Sequence, residues 1–298
     1  MSYPVFSVSS DEKAEPLGSK EKFWCTDPDN VVWLFKYNRK DAGDDWAEKI
    51  SAELCELIGL PHAAYELAEF DGNPGVVSKI FVPSGWRLEH GDEVLSEHVS
   101  TYQRTQARRN PEYTLEAVFN TLERVNPNLP PEWHGVPGIR TSQDLFVGYI
   151  LFDTWVSNTD RHQENWALLA NPETTSCLAP TYDHGACLGT VLTDDERAKR
   201  MRTKDRGFSV EHYVTRCRSA FYTKGSRRKM LTIDALNYAK IRYPAATDVW
   251  HQRLYGISRA ELVSIVNEIP VSRMSAISRE FVLRMLDENR TRIVEGDT

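Results

Sequence analysis

The stretch SQDLFVGYILFDTWVSN, residues 142–158, most limits what this chain can fold into. Apolar residues cover nearly the whole circumference of a helix drawn through it, instead of one face. A helix that is apolar on all sides is stable in water only when other elements surround it. We therefore expect a helix buried in the middle of a lobe, with the remaining helices packed around it.

Two polar segments interrupt the apolar chain directly after this helix: NTDRHQENWALLA at 158–170 and APTYDHGACLG at 179–189. They contain Asp160, Asn165 and Asp183, the last opening the tripeptide Asp183-His184-Gly185. Phosphoryl transfer from ATP needs a carboxylate that accepts the hydroxyl proton and oxygen ligands for Mg²⁺. Asp160 is a candidate for the first role, and Asn165 and Asp183 for the second, although each motif alone also arises by chance or in ordinary turns.

A lysine in the middle of an apolar strand adds a third element to the pattern. The segment VVWLFKYN at 31–38 predicts a strand that carries Lys36, and residues 44–60 predict an amphipathic helix that carries Glu48. An edge strand facing water would also explain such a lysine. If Lys36 is buried, it requires a partner of opposite charge, and Glu48 is the candidate.

The order of elements predicts an α+β chain with two lobes. After the helix at 44–60, AAYELAEF and VVSKIFV read as two strands joined by a turn at GNPG, residues 72–75. Residues 1–83 are therefore expected to form a small β-rich lobe that binds ATP, and residues 84–298 a larger, mainly helical catalytic lobe. Within the second lobe, SVEHYVTRCRSAFY at 209–222 reads as helical.

Two segments of the first lobe are candidates for nucleotide contacts. PLGSKEK at 16–22 contains Gly18 and Ser19, and a glycine there would allow backbone N–H groups to face a phosphate. The segment KIFV at 79–82 would enter the hinge between the lobes, where Phe81 and Val82 could contact adenine. An ordinary core strand and a solvated loop explain the same residues almost as well.

Taken together, these segments resemble the HipA-like serine/threonine kinases, the toxin kinases of bacterial toxin–antitoxin pairs, in a compact form. The resemblance spans about residues 14–190 and rests on EPLGSKEKFW, WLFK, GDDWAEKISAELCELIGLPHAAYELA, GVVSKIFV, NTDRHQENWALL and APTYDHGACLG. It implies a two-lobed protein-kinase-like fold that uses ATP and Mg²⁺. Lys36 would hold the phosphates, Glu48 would orient Lys36, Asp160 would be the catalytic base, and Asn165 and Asp183 would bind the metal.

The resemblance also implies partners and a mode of control. The expected substrate is a serine or threonine hydroxyl of a protein, with an aminoacyl-tRNA synthetase or another translation factor as the precedent, and an antitoxin is an expected partner. The larger members of the family carry a further N-terminal domain that is not in this sequence, so functions tied to that domain are not expected. HipA-like kinases phosphorylate a serine in the glycine-containing loop; Glu15 aligns with that serine in some relatives, which leaves Ser19 as the candidate.

Three other activities fit parts of the pattern. The D-R-H-x-x-N order at 160–165 is also that of phosphoinositide lipid kinases, and the basic run KRMRTKDR at 199–206 could meet anionic groups. A metal-dependent phosphohydrolase could use His162 and His184 with nearby aspartates, but it leaves Lys36 and Glu48 unexplained. An ATP-binding pseudokinase would keep the fold without turnover.

The amino-acid composition argues against several other classes of protein. A net charge of −7 argues against affinity of the whole molecule for nucleic acid or an anionic membrane. The five cysteines are scattered without a CxxC pair, which argues against a disulfide scaffold or a zinc site. Neither a leader pattern nor a membrane span is recognisable, so a cytoplasmic protein is expected.

Overall fold

A six-stranded sheet forms the N-terminal part of the protein. The computed structural model describes residues 2–8, 13–14, 21–27, 29–39, 42–104, 109–171 and 175–295. The sheet has the order β1-β5-β6-β4-β3-β2, in which β1 and β5 are parallel and the other neighbours are antiparallel. Its strands are β1 (Val5–Val8), β2 (Lys13–Ala14), β3 (Lys22–Thr26), β4 (Val32–Tyr37), β5 (Tyr65–Phe70) and β6 (Asn73–Lys79). Strand β4, which carries Lys36, is paired on both sides and is not an edge strand.

Helix α1 (Asp44–Ile58) packs on this sheet against β5 and β6. Its inward face contains Trp46, Ile50 and Leu54, all buried. The helix ends at Gly59, whose φ of 75° is the left-handed conformation that glycine adopts without a Cβ clash. The predicted helix over 44–60 is thereby confirmed.

The turn between β5 and β6 lies earlier than GNPG at 72–75. Asp71 and Gly72 make the turn, both with positive φ, and β6 already begins at Asn73. Gly75 is instead a strand residue opposite Tyr37, where a Cβ would lie 2.4 Å from the backbone oxygen of Lys36. Position 75 therefore requires glycine because β4 and β6 approach closely there, and not because the chain turns.

In the described part of the chain, nine further α-helices follow β6. Their bounds are α2 (Gly91–His98), α3 (Leu115–Val125), α4 (Ser142–Trp155), α5 (Asp194–Arg202), α6 (Val210–Thr215), α7 (Thr232–Arg242), α8 (Pro244–Tyr255), α9 (Arg259–Glu268) and α10 (Ala276–Glu295). Helix α4 is surrounded by α3, α7, α8 and α10, and its residues from Leu145 to Trp155 are all buried. The expected central helix is thus confirmed. Among the described residues, no helix is long and apolar enough to cross a membrane.

Two small sheets complete the fold. Strands β7 (Arg87–His90), β8 (Ala167–Ala170) and β9 (Ser176–Leu178) form one, and β10 (Arg218–Tyr222) and β11 (Lys229–Leu231) form the other. The helical prediction over 209–222 is wrong in its second half, because helix α6 stops at Thr215 and β10 follows. Residues 218–222 form a strand because they pair with β11. Helix α6 has only six residues, which are too few for the hydrophobic periodicity to show where the helix ends.

Candidate active site

Lys36 and two carboxylates from distant parts of the chain meet at one place. The Lys36 Nζ lies 3.8 Å from Glu48 Oε1 on α1 and 3.7 Å from Asp183 Oδ1 on the second polar segment. Only 12% of the Lys36 side chain and 1% of the Glu48 side chain are exposed. The predicted pairing of Lys36 with Glu48 is therefore present, and the buried ammonium is balanced by negative charge.

Electrostatics hold this lysine in its charged form. Burial alone would lower the pKa of Lys36, but the neighbouring Tyr65 and the two carboxylates outweigh burial and raise the pKa above its ordinary value. Burial and Glu48 in turn raise the pKa of Tyr65, so its phenol is neutral near pH 7 and the carboxylates supply the attraction that matters there. The Lys36 Nζ also lies 5.3 Å from the centre of the Tyr65 ring. The result is a fixed positive charge with a small exposed fraction, suited to a phosphate contact.

Glu48 also anchors the segment that carries Asp183. Its Oε2 accepts a hydrogen bond of 2.7 Å from the backbone N–H of His184. The backbone N–H of Asp183 contacts the Tyr65 hydroxyl at 3.1 Å. Asp183 has a φ of 61°, a conformation that non-glycine residues adopt rarely, so these contacts hold it where the local backbone is unfavourable. About 36% of its side chain is exposed, which leaves the carboxylate accessible to a ligand.

The loop after α4 orders Asp160 and Asn165 through its own hydrogen bonds. The Asn165 Nδ2 donates to the Asp160 carbonyl at 2.6 Å, and the Asp160 N–H donates to Asn158 Oδ1 at 3.0 Å. Because the Asn165 amide nitrogen is used by the loop, Oδ1 is the atom suited to a metal. Asp160 itself is half-buried and follows the exposed Thr159.

Arg161 joins this loop to the Asp183 segment. The guanidinium donates two hydrogen bonds to Asp153, at 2.7 and 2.8 Å, with both side chains buried. Its Nη1 lies 2.8 Å from the carbonyl oxygen of Asn165 and 3.5 Å from that of Tyr182. One buried nitrogen thus contacts the backbone beside both candidate metal ligands, which keeps Asn165 and Asp183 close together. In the sequence Arg161 is only one residue of the D-R-H-x-x-N motif, and nothing local to it indicates this role.

The two histidines have structural partners. The His184 Nε2 lies 3.0 Å from Arg161 Nη2, and since a guanidinium can only donate, Nε2 is the acceptor and the ring is neutral. Burial, reinforced by the charge of Arg161, holds the pKa of His184 well below its ordinary value. The His162 Nδ1 accepts from the Glu164 N–H at 3.2 Å. Among the described residues, no group of three or more His, Cys, Asp or Glu side chains is arranged to hold a metal ion.

The segment after β6 leads from the large sheet to β7. Strand β6 ends at Lys79, and Phe81 and Val82 lie in the irregular connection, both half-buried. The Phe81 ring stacks on Tyr182 with 5.6 Å between ring centres, so the connection touches the residue before Asp183. Phe81 and Val82 are therefore not part of a strand, and their contact with adenine stays a prediction. The other two nucleotide-binding candidates, Gly18 and Ser19, lie outside the described residues.

Tyr65 and Arg39 are site residues that sequence reasoning missed. The Arg39 guanidinium forms a salt bridge with Asp44 at 2.8 Å, and its pKa is raised by that hydrogen bond and further by the charges of Asp160 and Asp183. Arg39 therefore lies within electrostatic range of both carboxylates. A tyrosine in a strand and an arginine in a loop carry no sequence signal that sets them apart from surface residues.

Comparison with known proteins identifies the family. The family model described as the HipA-like C-terminal domain matches residues 15–237, which is most of the chain. The chain belongs to the HipA-like family. A search of curated proteins finds no match.

Solved structures show that the HipA-like chain has a kinase fold. The Helicobacter pylori proinflammatory kinase CtkA superposes with a TM-score of 0.76 at 20% identity, covering 98% of this chain and 97% of that one. HipA from the Shewanella oneidensis MR-1 toxin–antitoxin complex with HipB and operator DNA gives a TM-score of 0.58 at 12% identity, covering 96% and 66%. The predicted α+β kinase-like fold is confirmed. A fold of this kind generally uses ATP and a metal ion.

Proposed function

We propose that this protein transfers the γ-phosphoryl group of ATP to a serine or threonine hydroxyl of another protein. The observation that supports this most directly is the single position of Lys36 Nζ, within 3.8 Å of Glu48 and 3.7 Å of Asp183. Lysine on a central strand, glutamate on the next helix and aspartate after the catalytic loop are the parts a kinase uses to place phosphates. A pseudokinase would retain these contacts, so the distinction rests on turnover.

In this proposal each residue has a defined role. Lys36 holds phosphate oxygens, and Glu48 keeps Lys36 in place while fixing the backbone at His184. Asp160 accepts the proton of the substrate hydroxyl, a contribution of about 10²–10⁴-fold for general bases. Asn165 Oδ1 and the Asp183 carboxylate bind Mg²⁺, which when bound neutralises charge on the transferring phosphoryl group. Phe81 and Val82 contact the adenine from the hinge, and Gly18 and Ser19 contact the phosphates.

Two substitutions with different expected effects test the assignment. Lys36→Ala should lose transfer and weaken ATP binding by about 10-fold or more, because a charged contact to phosphate is removed. Asp160→Asn should lose transfer while ATP binding changes little, since the base contacts the hydroxyl and not the nucleotide. Binding is measured with a fluorescent ATP analogue and transfer with labelled ATP and a host lysate. Lys240→Ala, at an exposed position in the last turn of α7, serves as the control.

The outcomes separate the alternatives. Unchanged turnover in Asp160→Asn would place the base elsewhere. Nucleotide binding without labelling of any protein or lipid would favour the pseudokinase, and label in the lipid fraction alone would favour the lipid kinase.

The toxin role is a further part of the proposal, and the complex of the Shewanella protein with HipB is its precedent. Expression of the wild type should arrest growth of the host, whereas Asp160→Asn should not. An antitoxin partner would be recovered with the Asp160→Asn protein, and a translation factor such as an aminoacyl-tRNA synthetase would be the labelled substrate. Normal growth with the wild type at equal expression would speak against this role.

A further inference from the structure

A cleft of about 700 Å³ opens directly beside the exposed Thr159, the residue before Asp160. Its walls come from the end of α5, a short turn at 206–208, helix α6 and the β10–β11 hairpin. Four cationic side chains line it: Arg200, Arg216, Arg218 and Lys229. In the described part of the chain, no aspartate or glutamate lines this cleft.

This charge distribution departs from the rest of the protein. The chain has 43 acidic and 36 basic residues, so a surface of average composition would mix the two signs. Concentrating positive charges in one concave region costs free energy through mutual repulsion unless an anion binds there. The cleft is therefore expected to receive a negatively charged ligand.

The three arginines form no close ion pair, although the charge of Arg200 also acts on Glu196, one turn earlier on α5. Among the described residues, no carboxylate oxygen lies within 4.0 Å of the guanidinium nitrogens of Arg200, Arg216 or Arg218. Arg218 donates to the carbonyl oxygen of Lys229 at 2.6 Å, and the Arg200 guanidinium lies 4.3 Å from the centre of the Phe208 ring. These contacts orient the side chains without cancelling their charge.

The cleft adjoins the loop that carries the candidate base. Thr159 borders the cleft, and Asp160 follows it in the loop that also carries Asn165. A ligand that runs from Asp160 into the cleft meets first a carboxylate and then a group of cations. Such a ligand needs a neutral hydroxyl at one end and negative charges a few residues away.

We infer that the cleft binds acidic side chains that flank the phosphorylated serine or threonine of a protein substrate. This inference rests on the proposed kinase function and adds to it the substrate class: an acceptor hydroxyl next to aspartate, glutamate or phosphorylated residues. All three side chains present anionic oxygens that arginine binds in a bidentate manner.

A protein segment fits this region better than a nucleic acid or a membrane. A nucleic acid carries negative charge on every nucleotide, so it would also bring phosphates against Asp160. A membrane surface is flat on this scale, whereas the cationic groups line a concave cleft. An extended peptide can present one neutral hydroxyl and several charges in sequence.

The flanking preference is measured with degenerate peptides that have a fixed central serine and random neighbours. Wild-type protein and ATP should yield phosphopeptides enriched several-fold in Asp and Glu. A second library with phosphoserine at neighbouring positions separates carboxylates from phosphates as the preferred anion. Equal use of neutral and acidic neighbours, or enrichment of Lys and Arg, would overturn the inference.

Binding provides a readout that does not depend on phosphoryl transfer. In the Asp160→Asn background, a fluorescent serine peptide flanked by glutamates should bind more tightly than its lysine-flanked counterpart. The further substitution Arg216→Glu, at an exposed position, should weaken the acidic peptide about tenfold and reverse the preference, since attraction becomes repulsion. Arg227→Glu makes the same charge change on the exposed hairpin turn outside the cleft and should leave the preference intact.

Failure of this inference and failure of the proposed function give different results. Transfer without any acidic preference rejects the cleft as the binding site and leaves the kinase function standing. Acidic binding that Arg216→Glu weakens, in a protein that shows no transfer, supports the cleft and rejects the activity. Tighter binding of an RNA oligonucleotide or of phosphoinositide vesicles, with the same loss in Arg216→Glu, would assign the cleft to that ligand instead.

Discussion

The buried pair of Arg161 and Asp153 offers a test that separates folding from activity. The near-isosteric change Asp153→Asn removes one charge and replaces an oxygen that accepts from the guanidinium with an amide that donates. Arg161 would then be buried without a counter-charge. The size of the side chain hardly changes, so the effect reports electrostatics and hydrogen bonding rather than a cavity.

The structure sets the expected magnitude. Arg161 and Asp153 side chains are 1% and 6% exposed, so water cannot replace the lost partner. Asp153 also accepts a hydrogen bond of 2.8 Å from Asn158 Nδ2, which the substitution disturbs. Removing one member of a buried ion pair costs about 3–5 kcal/mol of unfolding free energy. In a chain of this length that corresponds to a melting temperature lower by on the order of 10 °C.

Thermal and urea unfolding measure this loss, with Asp234→Asn as the control. Asp234 is exposed in the first turn of α7, so the same chemical change there should alter the unfolding free energy by no more than about 0.5 kcal/mol. Equal stability of Asp153→Asn and Asp234→Asn would refute the reasoning.

A double substitution extends the test to function. Asp153→Leu with Arg161→Met replaces the pair with apolar side chains and should recover much of the lost stability, because no buried charge remains. Phosphoryl transfer should stay low, since the contacts of Arg161 to the carbonyl groups of Asn165 and Tyr182 are gone. Full activity in this stable variant would show that Arg161 does not position the site.

Three further predictions follow from the site and the sheet. Transfer should require Mg²⁺ or Mn²⁺, and Asp183→Asn should abolish it with unchanged circular dichroism; zinc-dependent phosphate release instead would revive the hydrolase interpretation. Burial and Arg161 hold the pKa of His184 well below 6.5, so below about pH 6.5 the unfolded chain takes up a proton that the folded protein does not. The unfolding free energy should therefore fall as the pH is lowered through that range, by up to about 1.4 kcal/mol per pH unit. In urea titrations across the same range, His184→Gln should show a shallower fall. Gly75→Ala should destabilise the protein by about 1–3 kcal/mol, as its Cβ would lie 2.4 Å from the Lys36 carbonyl oxygen, and a stability equal to wild type would contradict this account of the strand.

Control through the glycine-containing loop stays a prediction from the sequence. Phosphate on Ser19 would add a charge of about −1.5 to −2 where ATP phosphates are expected, so ATP affinity should fall. Mass spectrometry after incubation with ATP, compared with Asp160→Asn, tests it. Absence of phosphate at Ser19 in active protein would reject autophosphorylation there.

Much of this fold and site could be predicted from local chemistry. A helix apolar on all sides can only be a core element, and α4 is one. Polar residues that interrupt apolar runs have no packing reason to be there, which is why Asp160, Asn165 and Asp183 could be proposed as site residues from the sequence. Lys36 and Glu48 were predictable because a buried charge requires a partner.

Other features depend on contacts between residues far apart in the sequence, and local pattern does not encode these. The sequence of residues 218–222 has a helical pattern, but these residues form strand β10 because β11 pairs with them. Arg161 reads as one cation in a motif, and its role comes from Asp153 and Tyr182, which α4 and the second polar segment bring to it. The basic run at 199–206 suggested anion binding, but Arg216, Arg218 and Lys229 join Arg200 around one cleft only because the tertiary structure brings the hairpin and the helices α5 and α6 to the same cleft. The sequence determines which charges are present, and the tertiary structure decides which of them face the same ligand, because electrostatic attraction depends on distance in space and not along the chain.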